Sequence, residues 1–165
     1  MDRIEQVKKY ELTTESKDYF GHKLFRIRAL ISFKFVAKGE LGGFVESEKN
    51  VSHSGNAWVY GNARVYGNAQ VCGDAQVSGD AWVCGNAKIK ISTDYFTVGP
   101  IGSRSGFITF TKSNMSAVTG CFYGTIAKFT AAVKKTHGTN EHAKNYLALV
   151  KMVKSMWKQD GKAAK

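Results

Sequence analysis

The sequence predicts a mixed β/α protein in which hexapeptide repeats form a short solenoid between a β-rich N-terminal cap and a C-terminal α+β module. Three observations predict this class: an unbroken six-residue period in the middle, short apolar clusters of strand type before it, and two stripes of helical period after it. We therefore divide the chain into residues 1–42, 43–90 and 91–165, with a disordered tail from about residue 160.

The middle segment repeats Gly, then Asn or Asp, then Ala, and two positions later Val or Ile. Six intact units run without a break: GNAWVY, GNARVY, GNAQVC, GDAQVS, GDAWVC and GNAKIK, from Gly55 to Lys90. Two degraded units, 43–48 and 49–54, precede them, as is expected of terminal repeats that cap an open core. A β-branched residue suits an inward-pointing strand position. We expect these residues inside: Val59, Val65, Val71, Val77, Val83 and Ile89.

This pattern resembles the left-handed parallel β-helix of the hexapeptide-repeat acyltransferase superfamily, in which three hexads form one coil. The resemblance implies that side chains 18 positions apart stack, with Arg64 over Trp82 and Asn56 over Asp74. Because that superfamily uses a histidine near the coils as general base, His53 is the acyltransferase candidate. His53 also falls in an inward slot of a degraded hexad, so a hydrogen-bonded capping role is the favoured alternative.

Large aromatic side chains occupy slots of the repeat that this register turns outward. A contiguous patch of exposed aromatic residues usually marks an interface, and two to three coils bury little by themselves. We therefore predict a homo-oligomer, a dimer or a trimer, with an interface formed by Trp58, Tyr60, Tyr66 and Trp82.

Two helices are predicted after the last β-rich stretch. The first spans about Thr125–His137, with Gly138 just past its end. The second spans about Glu141–Lys158, where Glu141 suits the first turn and an apolar stripe includes Trp157. The two helices are expected to cover the strands of residues 91–123.

Positive charge is concentrated in the C-terminal module. Residues 95–165 carry eleven Lys or Arg and two acidic residues, a balance of +9, whereas residues 1–94 carry thirteen and eleven, a balance of +2. An anionic partner is therefore expected at the C-terminal part. The alternative is a solvated basic surface that only aids solubility.

The loop 98–106 has the composition of a phosphate cradle. Glycines let backbone N–H groups converge on an anion, serines offer hydroxyls, and an arginine offers a planar fork. The alternative role is a rigid connector. We predict a ligand site formed by Gly102, Ser103, Arg104, Ser105, Lys112, Lys128, Lys144 and Lys151.

Several other classes of function lack their signatures. There is no nucleophile motif, P-loop or dinucleotide fingerprint, and no histidine or cysteine spacing that suits a metal, so we expect no cofactor and no metal site. Apolar runs are too short to span a membrane, and the N-terminus has no apolar signal region. Three cysteines without a CxxC pair are typical of a reduced compartment, so we expect a cytoplasmic protein.

The order GELGGFVES, GNAxVY repeats, VGPIGSR, GCFYGT and a THG-linked helix pair resembles small hexapeptide-repeat proteins of tailed phages and prophages. The resemblance implies a phage accessory protein, one class of which disarms bacterial immunity. We expect a non-enzymatic protein that sequesters an anionic nucleotide-like ligand, namely an immune signalling molecule. The alternatives are an inhibitor that docks on a nucleic-acid-handling defence complex and a hexapeptide-repeat acyltransferase. Direct binding of nucleic acid is less favoured.

Overall fold

The computed structural model describes residues 6–162, with side chains up to residue 158. Two helices, α1 (Ile126–His137) and α2 (Glu141–Lys162), follow thirteen strands in this part of the chain. The strands are β1 (Tyr10–Tyr19), β2 (His22–Ala29), β3 (Leu41–Val45), β4 (Trp58–Val59), β5 (Arg64–Val65), β6 (Gln70–Val71), β7 (Gln76–Val77), β8 (Trp82–Val83), β9 (Lys88–Ile89), β10 (Tyr95–Ile101), β11 (Gly106–Thr111), β12 (Ser116–Thr119) and β13 (Phe122–Thr125).

The N-terminal segment and the repeats share one mixed sheet. Strands β1 and β2 form an antiparallel hairpin, β3 pairs antiparallel with β2, and β3 then pairs in parallel with β5. The resulting order is β1-β2-β3-β5-β8. The hairpin therefore continues the sheet of the repeats instead of standing apart from it.

Parallel pairing within the repeats follows the predicted 18-residue offset. Strand pairs β4–β7, β5–β8 and β6–β9 are all parallel, and β5–β8 places Arg64 opposite Trp82. The Arg64 guanidinium lies 4.8 Å from the Trp82 ring centroid, at cation–π distance. Asn56 donates a hydrogen bond of 2.9 Å to Asp74. These two stacking predictions are confirmed.

The prediction of a left-handed parallel β-helix over residues 43–90 is wrong. The structure instead has four separate sheets, of which the two largest are mixed and antiparallel, and no closed or solenoid β-helix is seen in the described chain. Each repeat strand is two residues long, and β4–β7 and β6–β9 remain isolated pairs. The remaining repeat strands, β5 and β8, are absorbed into the sheet that the N-terminal hairpin begins.

Burial of the repeated aliphatic position is confirmed. All six predicted side chains have no solvent exposure, and the repeated alanines are equally buried. Glycine at each corner has a positive φ, for example 59° at Gly61, a region that glycine adopts without the steric cost of a Cβ. The period of the sequence therefore encodes both the corners and the core of this segment.

The predicted outward patch of aromatic residues is not formed as expected. Trp58 is completely buried, and Tyr66 is 9% exposed. The Trp58 indole contacts the rings of Tyr10, at 6.0 Å, and Phe33, at 5.3 Å, both from the N-terminal segment. Tyr60 and Trp82 are only partly buried. The N-terminal segment thus covers a face that the sequence pattern leaves open.

The C-terminal module is an antiparallel sheet covered by the two predicted helices. The sheet has the order β10-β11-β12-β13 and packs against α1 and α2 through an apolar core that includes Phe110, Phe129 and Val153. Thr125 caps α1 by accepting a hydrogen bond from the backbone N–H of Lys128. Helix α2 continues to Lys162, and residues 163–165 of the predicted disordered tail lie outside the described residues.

Side chains of the C-terminal module terminate the free edge of the repeats. The backbone N–H groups of Gln76, Trp82 and Lys88 donate to the hydroxyl oxygens of Ser92, Thr109 and Ser113 at 2.8–3.0 Å. Unpaired strand edges would otherwise expose a row of donors. None of the helices in residues 6–162 is long and apolar enough to cross a membrane.

Candidate anion-binding site

The predicted phosphate loop, residues 98–106, is a loop only in part: residues 98–101 belong to β10, and residues 102–105 form the exposed turn that leads into β11. Ser103 and Arg104 are exposed at its tip, whereas Gly102 packs against the hydroxyl of Tyr146 from α2. The N–H of Ser105 donates within the turn to the carbonyl of Gly102, at 3.1 Å. This turn is closed by its own hydrogen bond and docked on α2, which fits the alternative role of a rigid connector.

The predicted ligand residues do not converge on one point. Lys112 lies at the opposite end of β11 from the turn, a separation of about 20 Å at ~3.3 Å per strand residue. Lys128 lies in the first turn of α1, where its side chain packs beside Gly124. Lys144 and Lys151 are exposed on the first half of α2.

Lys112 instead contributes to a cleft between the β11–β12 turn and the second half of α2. The cleft has a volume of ≈ 430 Å³ and is lined by Lys112, Met115, Lys154, Trp157 and Lys158. We call this cavity the lysine cleft. It brings together the side chains of three lysines, one tryptophan and one methionine.

Local hydrogen bonds hold both walls of the lysine cleft. The Trp157 indole N–H donates to the carbonyl of Thr93 at 3.2 Å and anchors α2 against the short helical turn just before β10. On the other wall, Asn114 accepts hydrogen bonds from the hydroxyls of Thr111 and Ser116, at 2.7 and 2.9 Å. The cleft therefore lies between two anchored elements.

Helical spacing places two of the lysines side by side. Lys154 and Lys158 are one turn apart on α2, and residues at this spacing lie on the same helix face. Among the side chains of residues 6–158, none forms an ion pair with Lys154 or Lys158. Several N-terminal cations are paired instead, for example Lys8 with Glu48 at 3.0 Å. An anion in the cleft would relieve repulsion between neighbouring ammonium groups.

Sequence reasoning missed the grouping of Met115 and Trp157 with the lysines. The helical period assigns Trp157 to the apolar stripe of the second helix, which is correct, since it is 6% exposed. Its edge nevertheless lines the cleft. The signal in the sequence is the flanking of Trp157 by Lys154 and Lys158, a basic pair around an aromatic residue.

The acyltransferase candidate His53 has the capping role instead. Its ring stacks on Tyr10, with centroids 4.4 Å apart, and its Nδ1 accepts the backbone N–H of Lys9 at 3.1 Å. The other nitrogen, Nε2, is buried 3.6 Å from the Glu48 carboxylate. With one nitrogen bonded to the backbone and the other buried, this histidine is not placed to accept a proton from a substrate.

No group of three or more His, Cys, Asp or Glu side chains within the described residues is arranged to hold a metal ion. No protein-family model matches the chain, and no curated protein matches it. The functional conclusion therefore rests on the chemistry of the cleft.

Proposed function

We propose that this protein is a non-enzymatic, phage-type accessory protein that binds and sequesters an anionic, nucleotide-like small molecule. The observation that carries the proposal is the lysine cleft, in which Lys112, Lys154 and Lys158 surround a single cavity. Clustered ammonium groups recognise phosphate through charge-assisted hydrogen bonds. The net charge of +11 adds a long-range attraction for the same ligands.

The cleft also suits the nucleoside part of such a ligand. Met115 is 38% exposed at its wall and offers an apolar, polarisable contact, and the Trp157 indole lies beside it. A volume of ≈ 430 Å³ lies within the range of ordinary small-molecule sites, which is roughly 300–1,000 Å³. A phosphorylated compound with one planar base matches this combination of charge and apolar surface.

Sequestration requires affinity and abundance but no catalytic group. The proposed setting is the cytoplasm of a bacterial host, where the protein would lower the free concentration of a nucleotide immune messenger. The resemblance to small proteins of tailed phages supports this setting. Release of a chemically unchanged ligand on denaturation would distinguish sequestration from turnover.

The test is calorimetric titration with cyclic and linear nucleotides at low salt, for three single-charge variants. Lys154→Gln removes an ammonium of the cleft, Arg104→Ala removes the guanidinium of the exposed turn, and Lys135→Gln removes a charge outside both. Because each variant loses one positive charge, the general electrostatic loss is the same in all three. We expect the Kd to rise roughly tenfold or more for Lys154→Gln, since a charge-assisted contact contributes about 1.5–3 kcal/mol.

Less than a twofold change is expected for Lys135→Gln, and binding should weaken as salt rises. Equal effects of Lys154→Gln and Lys135→Gln would show that the cleft is not the site. If only Arg104→Ala loses binding, the ligand binds at the β10–β11 turn and not in the lysine cleft. If wild type binds no nucleotide at millimolar concentration, the sequestration proposal fails.

A second candidate is docking on a nucleic-acid-handling defence complex of the host. Met152 and Met156, 41% and 36% exposed, lie among the lysines of α2. Exposed methionines are common on adaptable protein-binding surfaces. Co-purification of a defence complex with wild type, and its loss in a Met152→Gln, Met156→Gln double variant, would favour this candidate over sequestration.

A further inference from the structure

A second cavity lies where the three parts of the chain meet. Its walls come from the β1–β2 turn, from the corners of the repeats and from β12 and β13, and it has a volume of ≈ 350 Å³. We call it the junction pocket. It shares no lining residue with the lysine cleft, so a ligand bound here is independent of the proposed function. The side chains that matter are Phe20, His22, Tyr66, Asn68, Cys84 and Tyr123.

The rim of the junction pocket carries an aromatic side chain held in an unusual backbone conformation. Phe20 is 63% exposed and has a φ of 47°, and Gly21 follows with a φ of 85°. Two-residue hairpin turns with positive φ at both positions favour Asn-Gly or Asp-Gly, and a bulky residue there is strained. The ring gains little from burial in return, since it stays mostly exposed, with its centroid 5.7 Å from that of the Trp82 ring in an edge-on arrangement. Strain of this kind is retained where a side chain has another use.

His22 presents one free ring nitrogen beside that rim. Its Nδ1 lies 3.1 Å from the carboxylate of Glu46, which also accepts the backbone N–H of Gly67 at 2.7 Å. The N–H of Gly67, and after it His22, hold the pKa of the Glu46 carboxyl below its usual range. In the neutral form of His22, the ionised carboxylate holds the ring proton on Nδ1. Nε2 is then an acceptor, and it has no partner among the described residues.

The floor of the pocket is aromatic and uncharged. The Tyr66 ring lies 4.8 Å from the His22 ring, and its hydroxyl interacts with the Cys84 thiol. Burial raises the pKa of both Tyr66 and Cys84, so both groups are neutral at physiological pH. Tyr123 of β13, 50% exposed, also lines the pocket. No Lys, Arg, Asp or Glu of the described chain lines the cavity.

We propose that the junction pocket binds an uncharged, planar nitrogen heterocycle between Phe20 and Tyr123. The ring would stack on these aromatic faces, and an N–H group of the ligand would donate to Nε2 of His22. The exposed amide of Asn68 offers a further donor and acceptor at the rim. A charged ligand is disfavoured because no opposite charge lines the pocket to compensate its desolvation.

The experiment is saturation-transfer NMR and calorimetry with adenine and nicotinamide as planar probes and cyclohexanecarboxamide as a non-planar one. We expect at least one planar probe to bind with a Kd below about 1 mM, and the non-planar probe to bind at least tenfold more weakly. Phe20→Ala should weaken binding about tenfold, because it removes one stacking face. His22→Phe, which keeps a ring but removes the acceptor, should weaken it as well.

The matched control is Phe35→Ala, since Phe35 is 81% exposed and lies outside the pocket. It should bind the probes as wild type does. Circular dichroism confirms that each variant is folded before it is titrated. The proposal is overturned if neither planar probe binds at about 1 mM, if cyclohexanecarboxamide binds equally well, or if Phe20→Ala and Phe35→Ala behave alike. Nucleotide binding at the lysine cleft is a separate readout, since Lys154→Gln should leave adenine binding unchanged.

Discussion

A buried lysine makes the stability of this protein depend on pH in a way that one substitution should remove. Lys9 is 1% exposed, and its ammonium donates to the carbonyl of Ala57 at 2.6 Å and lies 4.8 Å from the ring centroid of Phe33. Burial lowers the pKa of Lys9 from 10.5 to about 8. The perturbation is Lys9→Met, which keeps a long apolar side chain and removes the titrating group.

The sign of the effect depends on the number of protons that each state binds. Between pH 8 and 10.5 the unfolded chain keeps the Lys9 proton while the folded chain has lost it. The free energy of unfolding therefore rises with pH in this window. From pH 7 to pH 9.5 the gain is about 2 kcal/mol, at about 1.4 kcal/mol per pH unit over roughly 1.5 units above the folded pKa.

Other buried groups act in the opposite direction. Burial raises the pKa of Tyr10 and Cys84, so ionisation of these groups in the unfolded state lowers stability as pH rises through their ordinary values. These contributions are common to both proteins and cancel in the difference. The informative quantity is therefore the stability of wild type minus that of Lys9→Met, followed against pH.

The assay is urea unfolding, followed by tryptophan fluorescence, at pH 7, 8, 9 and 9.5. The difference should change by about 2 kcal/mol in favour of wild type across this range. Lys8→Met is the control, because Lys8 is exposed and its partner is Glu48; its difference from wild type should stay flat over the same range. If the Lys9→Met difference is equally flat, Lys9 titrates normally and its ammonium is not desolvated.

Three further outcomes test the packing. Val71→Asp should unfold the protein, because Val71 has no solvent exposure and the core cannot accommodate an unpaired carboxylate there. A circular dichroism spectrum that shows this variant to be folded would contradict the prediction. Gly42→Ala should lower the free energy of unfolding, measured in urea, by about 1–3 kcal/mol, because the added Cβ would lie 2.5 Å from the carbonyl oxygen of Val59. Gly106→Ala should leave it nearly unchanged, because no atom lies within 4 Å of a Cβ at that position. The dimer or trimer predicted from the sequence is checked by light scattering, and a monomer at micromolar concentration would contradict it.

The repeat could be predicted in its register but not in its architecture. The period together with the resemblance, which implies three hexads to a coil, places Arg64 beside Trp82, and the strand pairing confirms it. Whether successive pairs continue as a solenoid depends on what occupies their edges. Strand β3 brings the N-terminal hairpin to β5, and Trp58 is covered by the same segment. These are long-range contacts that the period does not encode.

The candidate site, like the repeat, could be predicted from the sequence only in part. Helical spacing is enough to place Lys154 and Lys158 together, and composition is enough to mark residues 95–165 as basic. The position of Lys112 beside them depends on how α2 crosses the sheet, which the contact between Trp157 and Thr93 fixes across 64 residues of chain. The turn at Arg104 has the composition of an anion site, but the backbone N–H of Ser105 donates to the carbonyl of Gly102 within the turn.

The structure separates the residues that stabilise the repeats from those proposed to bind ligand. Thr109 and Ser113 face the repeats and satisfy backbone donors of Trp82 and Lys88, so their hydroxyls are committed to the fold. Lys154 projects from the opposite layer, on α2, and is exposed. Exposed lysines far from the capping contacts contribute little to stability, because surface charges away from such features are usually worth less than ~0.5 kcal/mol. Lys154→Gln should therefore remain as stable as wild type, so a loss of anion binding in this variant can be read separately from any loss of folding.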